Sequence, residues 1–311
     1  MELDLGAVRA FVAIAEERSF GEAAARLGIS QQAVSKRIAR LETDLETVLF
    51  YRSRAGAGLT GDGRAFLPHA RSLVGLADQA VELLRGRRRA LRVDVLDTRL
   101  ASIDLVRGFH DAGGADVELI TSDGLRSGRV ALATGAVDAV LCRLTGPLDD
   151  ALTAEPVHLE PLHVLVGRRH PLARRERVSL AELAGETFWM PGNVEGSEWE
   201  EFYRLLGEEF GLRMDTSGPD FGYEHYVETV AAGRASLAGD ATRLPWHPGL
   251  VRVPITPPVP AYPWWLLRHR QNRHPALAAF TRHLAARRPA FDPARLWLPE
   301  SDRPAFTAPP R

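Results

Sequence analysis

At 311 residues, with 45% hydrophobic and 25% charged, the chain is too long for one ordinary core and too apolar to be disordered. A formal net charge of -1 excludes a protein that coats nucleic acid along its whole length, but not one with a local basic surface. The single cysteine, Cys142, excludes an intrachain disulfide. The opening MELDLGAVRAFVAIAEE carries early acids and no long apolar core, so no secretory signal is expected. No run approaches the ~18 apolar residues of a membrane span, and a cytoplasmic location is expected.

Residues 1–58 carry short helical patterns with sharp punctuation. Ser19-Phe20-Gly21-Glu22 has the form of a capping box and opens a helix that stops at Leu27-Gly28. Ser30 caps the next helix, QQAVSKRIARLE. Two helices joined by this tight Gly-Ile-Ser turn predict a helix-turn-helix. On the second, Val34, Ile38 and Leu41 fall at helical spacing and should face the core. The opposite face presents Gln32, Ser35, Lys36, Ala39 and Arg40. Gln31 and Gln32 stand at the leading end, which enters the major groove in such a motif. Glutamine suits the donor and acceptor pair of adenine, and Lys36 reaches guanine or a phosphate. A solvated helix face with no partner is the plain alternative.

LFYRSRAGAGLT (49–60) reads as two short arms around a glycine-rich tip bearing Arg52 and Arg54, a wing whose arginines touch phosphate. Gly56 to Gly61 also fits GxGxxG literally. A dinucleotide site needs a strand, a helix and a returning strand, and here one long helix follows, so no nucleotide cofactor is expected. Within residues 59–89, Phe66, Ala70, Leu73, Ala77, Ala80 and Leu84 form an a/d seam, expected to dimerise rather than pack within the chain. Pro68 interrupts its ladder, and Arg87-Arg88-Arg89 ends it.

From residue 90 the texture alternates. LRVDVL (91–96), VELIT (117–121) and DAVLC (138–142) are predicted strands, with helices over 99–111 and 124–135 between them. This is the βαβ rhythm of a parallel, doubly wound sheet. Further strands are expected at 162–167, 187–190, 250–254 and 264–268, and helices at 197–210, 224–232 and 275–287. Residues 290–311, with Pro293, Pro299, Pro304, Pro309 and Pro310 and with Pro289 just before them, are expected to form an extended tail. Ligands in open α/β sheets sit beyond the strand carboxyl ends. Those positions are Thr98, Ser102, Thr121, Ser122 and Arg143, then Pro191-Gly192-Asn193 and Phe221. Hydroxyls at helix starts with one arginine suit a small anion. The plain alternative makes the hydroxyls caps and pairs Arg143 with Asp138 or Asp149. Cys142 reads as a small buried residue, and the ten histidines show no zinc spacing, so no metal is expected.

The stretch AFVAIAEERSFGEAAARLGISQQAVSKRIARLETDLETVLFYR, with LTGDGRAFLPHARSLV after it, resembles the LysR-type family of bacterial transcriptional regulators. LRVDVL, VALATGAVDAVLCR and VLVGRRHPLARRERVSLAELAGETFW extend the resemblance over about 1–288. It implies an N-terminal winged helix-turn-helix, a long linker helix and a two-lobed α/β effector domain similar to periplasmic binding proteins. The implied boundaries are 1–58, 59–89 and 90–289, with lobe I at about 90–160 and 266–289 and lobe II at about 161–265. Base-reading and phosphate-contacting roles fall on Gln31, Gln32, Ser35 and Lys36, with Arg52 at the wing. The family commonly has proline at Gln32 and arginine at Lys36, and Gly61-Asp62-Gly63 loosens its usual linker start. Lysine lacks the bidentate fork of arginine, so base preference does not carry over. The resemblance further implies an interrupted palindrome of double-stranded DNA in a promoter, a small-molecule effector, and a homodimer or dimer-of-dimers tetramer. The competing reading is a cytoplasmic small-molecule-binding protein or enzyme built on the α/β region, which leaves the first 89 residues without a role.

Overall fold

The computed structural model describes residues 3–53, 56–85 and 90–307. The chain divides into two compact units, residues 1–89 with 133–136, and residues 90–132 with 137–311.

In the first unit three helices precede a hairpin and a long helix: α1 (Leu5–Glu17), α2 (Phe20–Leu27), α3 (Gln31–Asp44), β1 (Phe50–Ser53), β2 (Gly56–Leu59) and α4 (Gly61–Arg85). Local chemistry sets each start. Asp4, Ser19 and Ser30 accept the backbone N–H of Gly6, Glu22 and Ala33, satisfying donors that the first helical turn leaves free. Gly28 ends α2 in the left-handed conformation at φ 65. Phe11, Val34, Ile38, Leu41 and Leu49 are buried together, each contributing about 1.5–3 kcal/mol by leaving water. The GxGxxG stretch lies in β2 and the start of α4, paired antiparallel with β1. Gly63 is required by packing, since a Cβ there would overlap the Leu49 carbonyl oxygen.

The coiled-coil expectation for α4 needs correcting at its N-terminal end. Phe66 packs against Phe11 with ring centroids 5.2 Å apart, and Ala70 is fully buried in the same core. These two seam positions hold α4 to its own unit. Leu73, Leu76 and Val81 remain exposed. The side chain of Leu84 and residues 87–89 lie outside the described residues.

The second unit begins with β3 (Leu91–Val95), α5 (Ala101–Asp111), β4 (Val117–Thr121), α6 (Leu125–Ala133) and β5 (Ala139–Cys142). β3 pairs parallel with both β4 and β5, as the alternating apolar runs predicted. The long β6 (Leu152–Gly167) follows, then β7 (Thr187–Trp189), α7 (Glu198–Phe210), β8 (Arg213–Asp215), α8 (Tyr223–Ala232), β9 (Ser236–Gly239), β10 (Leu250–Pro254) and β11 (Val259–His269). The sheet order β10-β6-β11-β5-β3-β4, with β9 also on β6, makes β6 and β11 common to both lobes. Their antiparallel register shifts between Trp264 and Trp265, a bulge that bends the strand where one lobe gives way to the other. Trp264 joins the core with Phe202 and Phe109, and Trp265 joins a second core with Val140 and Leu125.

The chain continues through α9 (Leu277–Ala285), β12 (Leu296–Trp297) and α10 (Arg303–Thr307). The extended-tail expectation therefore fails for residues 290–307. β12 pairs parallel with β11, and Trp297, Leu298 and Phe306 are buried. Prolines punctuate this segment, but its apolar residues between them outweigh that signal by burial against the sheet.

Candidate functional site

Two sites follow from this architecture, one in each unit. In the first, α3 turns Val34, Ile38 and Leu41 inward and leaves Gln31, Gln32, Lys36 and Arg40 exposed, with Ser35 half-buried. The helix is fixed at its start by Ser30 and at its far end by Glu42. The Glu42 carboxylate accepts the N–H groups of Leu49 and Phe50 at 2.7 and 3.2 Å, tying the first wing strand to the helix. Arg40 is shared with Asp44, its Nε 3.7 Å from Oδ2, an exposed pair of little energy that a phosphate can replace. A rigid helix with its polar face outward can enter a groove without reorganising. Arg54 and the side chain of Arg52 lie outside the described residues. The capping box at Ser19 is half formed: the serine accepts from Glu22.

In the second unit, a cleft of about 700 Å³ opens between the lobes, within the range of small-molecule sites. Pro191, Gly192 and Asn193 line it, as the strand-end argument predicted. The other candidates do not, for identifiable reasons. Ser102 is fully buried inside α5, and the Ser122 hydroxyl donates to Asp94 Oδ2 at 2.8 Å. Thr98 and Thr121 are exposed outside the cleft wall, as is Phe221, whose ring meets His225 edge-on at 5.3 Å. Arg143 is 1% exposed and points away. Its guanidinium donates to Asp302, to Glu201 and to the Glu198 carbonyl, so neither Asp138 nor Asp149 is its partner. The residues behind the anion expectation are thereby removed from the cleft.

What the wall does contain is carboxylate and aromatic. Glu198, in the first turn of α7, extends its Oε1 to the Leu125 N–H at 2.8 Å. A carboxylate of the protein itself thus occupies the N-terminus of α6, where an anion would otherwise be held. Burial pushes Glu198 up, opposed by its backbone hydrogen bonds and by Arg143. Glu160, central on β6, is 2% exposed, and its Oε2 accepts the Trp264 indole N–H at 2.9 Å. Burial raises its carboxyl to about 7. Trp199 stacks on Tyr262 with centroids 3.9 Å apart and planes within 10°. Sequence reasoning missed these residues. The available signal was Glu160 itself, a lone charge inside the apolar run VHLEPLHVLVG, which burial makes costly without a purpose.

Residues 5–64 match the bacterial regulatory helix-turn-helix protein, lysR family, and residues 85–289 match the LysR substrate binding domain. The uncharacterized HTH-type transcriptional regulator YnfL of Escherichia coli K12 is 35% identical over 199 residues, 60% of this chain and 65% of that protein. The match therefore spans just under two thirds of that relative's own length. The HTH-type transcriptional regulator ShiR of Corynebacterium glutamicum is 32% identical over 210 residues, 65% of this chain and 70% of that one. CbnR, a LysR family transcriptional regulator, superposes with a TM-score of 0.68 at 22% identity, covering 92% of this chain and 99% of that one. CbnR complexed with its target DNA gives the same TM-score at 23% identity over 92% and 100%. At such identity the structural likeness speaks for the fold. No helix among the described residues is long and apolar enough to cross a membrane. By the two domain matches together, the chain belongs to the LysR family of bacterial regulatory helix-turn-helix proteins, with a helix-turn-helix followed by a LysR substrate binding domain.

Proposed function

We propose that the chain acts in the cytoplasm as a dimer or dimer of dimers, reading an interrupted palindrome in a promoter through α3, and is not an enzyme. The observation that carries this reading is α3 itself: capped, buttressed on one face, and exposing Gln31, Gln32, Lys36 and Arg40 on the other. Glutamine amides pair with adenine edges, and the two cations contact phosphate or guanine. Ser35 lies beside them, and Arg52 and Arg54 on the wing would fix position on the backbone. Dimerisation supports the palindrome, because two copies of α3 then read two half-sites. The exposed apolar residues Leu73, Leu76 and Val81 on α4, with Ala80, offer a face for a second copy.

A small molecule in the cleft favours one arrangement of the lobes, and by linkage changes DNA affinity by about 5- to 150-fold. Pro191, Gly192 and Asn193 belong to that site. A solute-binding or enzymatic role for the α/β unit alone leaves the helix-turn-helix idle.

Footprinting on the DNA upstream of the gene, over a salt series, tests the reading. A discrete protected palindrome that weakens steeply with salt supports it. Protection that is uniform along the DNA sinks it.

A further inference from the structure

The cleft wall carries five carboxylates, Asp97, Asp123, Glu160, Glu198 and Asp220, against Arg126 and Arg129. Acidic walls alone mean little, since exposed carboxylates are solvated. Glu160 is different. It is buried, its Oε2 is taken by Trp264, and its Oε1 has no hydrogen-bond partner. The Ala241 backbone N–H favours the charged form of Glu160. Oε1 sits over Gly239, also on the wall, where a Cβ would overlap it. A buried acceptor left open is costly, more so when charged, and a ligand donor removes that cost.

The surroundings of Glu160 match a cation. Trp199, Tyr203, Tyr223, Tyr226 and Tyr262 line the same cleft. Aromatic faces attract a desolvated ammonium, and a carboxylate offsets its loss of hydration. Two features that would hold an anion are already committed: Glu198 fills the α6 N-terminus, and Ser197 caps α7 by accepting the Glu200 N–H at 3.1 Å. Arg129 gives Nη2 to the Thr145 carbonyl at 2.8 Å and keeps its buried Nε open, and Arg126 lies exposed on the same wall, so a carboxylate on the same ligand would also find a donor.

We propose that the effector carries an organic ammonium or guanidinium group, its donor received by Glu160 Oε1 and its apolar body laid against Trp199. This rests on the cleft being the effector site.

The ionisation of Glu160 supplies a second readout. Burial raises it to about 7; Trp264 and Ala241 oppose the rise, and Asp240 and Asp104 add to it. Tyr203 also faces it, and Arg243 pairs with Asp104. A bound cation holds Glu160 ionised, so binding at pH 6 releases a proton and binding at pH 9 releases none.

The test is isothermal titration calorimetry of the full chain with three probes of one shape: phenethylamine, 2-phenylethanol and phenylacetate. The amine is expected to bind at least about tenfold more tightly than the others. Glu160→Gln should remove that advantage and leave 2-phenylethanol within about twofold. Heats measured at pH 6 in buffers of different ionisation enthalpy should show proton release with the amine alone. If Glu160→Gln does not fold, proton release from the unaltered protein decides. Tighter binding of phenylacetate, or no heat from the amine up to about 10 mM, overturns the inference. Phenylacetate binding would keep the cleft as effector site with the opposite charge. Loss of the DNA footprint, measured without any probe, would instead remove the regulator reading.

Discussion

The guanidinium of Arg143 and the carboxylate of Asp302 lie 2.9 Å apart, Nη2 to Oδ2, both buried and 159 residues distant in sequence. This pair clamps the last described segment to the end of β5. Phe306 reinforces the clamp by meeting Trp265 edge-on at 5.7 Å. Removing one partner of a buried pair strands the other charge, so Asp302→Asn should destabilise the second unit by about 3 kcal/mol. Replacing both, as Arg143→Met with Asp302→Leu, should recover much of that. Urea unfolding followed by tryptophan fluorescence measures both. Equal loss in single and double variants would show that the charges are not coupled.

Glu160 predicts a pH dependence of stability. Its carboxyl is raised from the ordinary 4.5 to about 7, so the folded state holds the proton more tightly than the unfolded chain. That contribution is fully present below about 4.5 and is lost as pH rises through about 7. The stability of the unaltered protein relative to Glu160→Gln should fall by up to about 3 kcal/mol between pH 4.5 and pH 8. Denaturant titrations at both pH values read the difference. A constant difference would mean that Glu160 titrates as an exposed carboxylate does.

The recognition helix separates into a cap and a reader. Ser30→Ala removes the acceptor of the Ala33 N–H and should cost about 1 kcal/mol of stability. Lys36→Ala should leave stability within about 0.5 kcal/mol, because Lys36 is exposed, yet weaken specific DNA binding. If Lys36 contacts phosphate, the slope of log affinity on log salt drops by about 1; if it contacts guanine, discrimination at one base pair is lost. Fluorescence anisotropy on matched and scrambled sites separates these. Unchanged affinity on both sites would remove Lys36 from the interface.

On α4, Leu76 is 65% exposed, an apolar side chain that a partner helix would cover. Leu76→Glu should shift the assembly towards monomer at micromolar concentration, as read by light scattering, with helicity unchanged. An unaltered mass would move the dimer face elsewhere.

Residue order alone determined the elements whose cause is local. Ser19, Gly28 and Ser30 bound α2 and α3 because capping acts within three or four residues. VELIT is β4 residue for residue, parallel to its neighbour β3, which pairs parallel with β5 on its other side, since apolar alternation with intervening helices admits little else. Helical spacing likewise placed Val34, Ile38 and Leu41 inside and the glutamines outside. The same reasoning located Pro191, Gly192 and Asn193 in the cleft and misplaced the rest. A strand-end position says where a backbone goes, while its side chain answers to whatever packs there.

Tertiary structure decided those partners. Arg143 finds Asp302 across 159 positions, and Glu198 reaches the α6 N-terminus across 73, so no local pattern marks either. Phe66 and Ala70 fit a seam by spacing, but α1 reaches them first and buries them against Phe11. The cleft wall was composed in the same way. Arg143 is buried away from the wall and Glu160 is buried on it, and such desolvation exists only once distant segments have closed over a group.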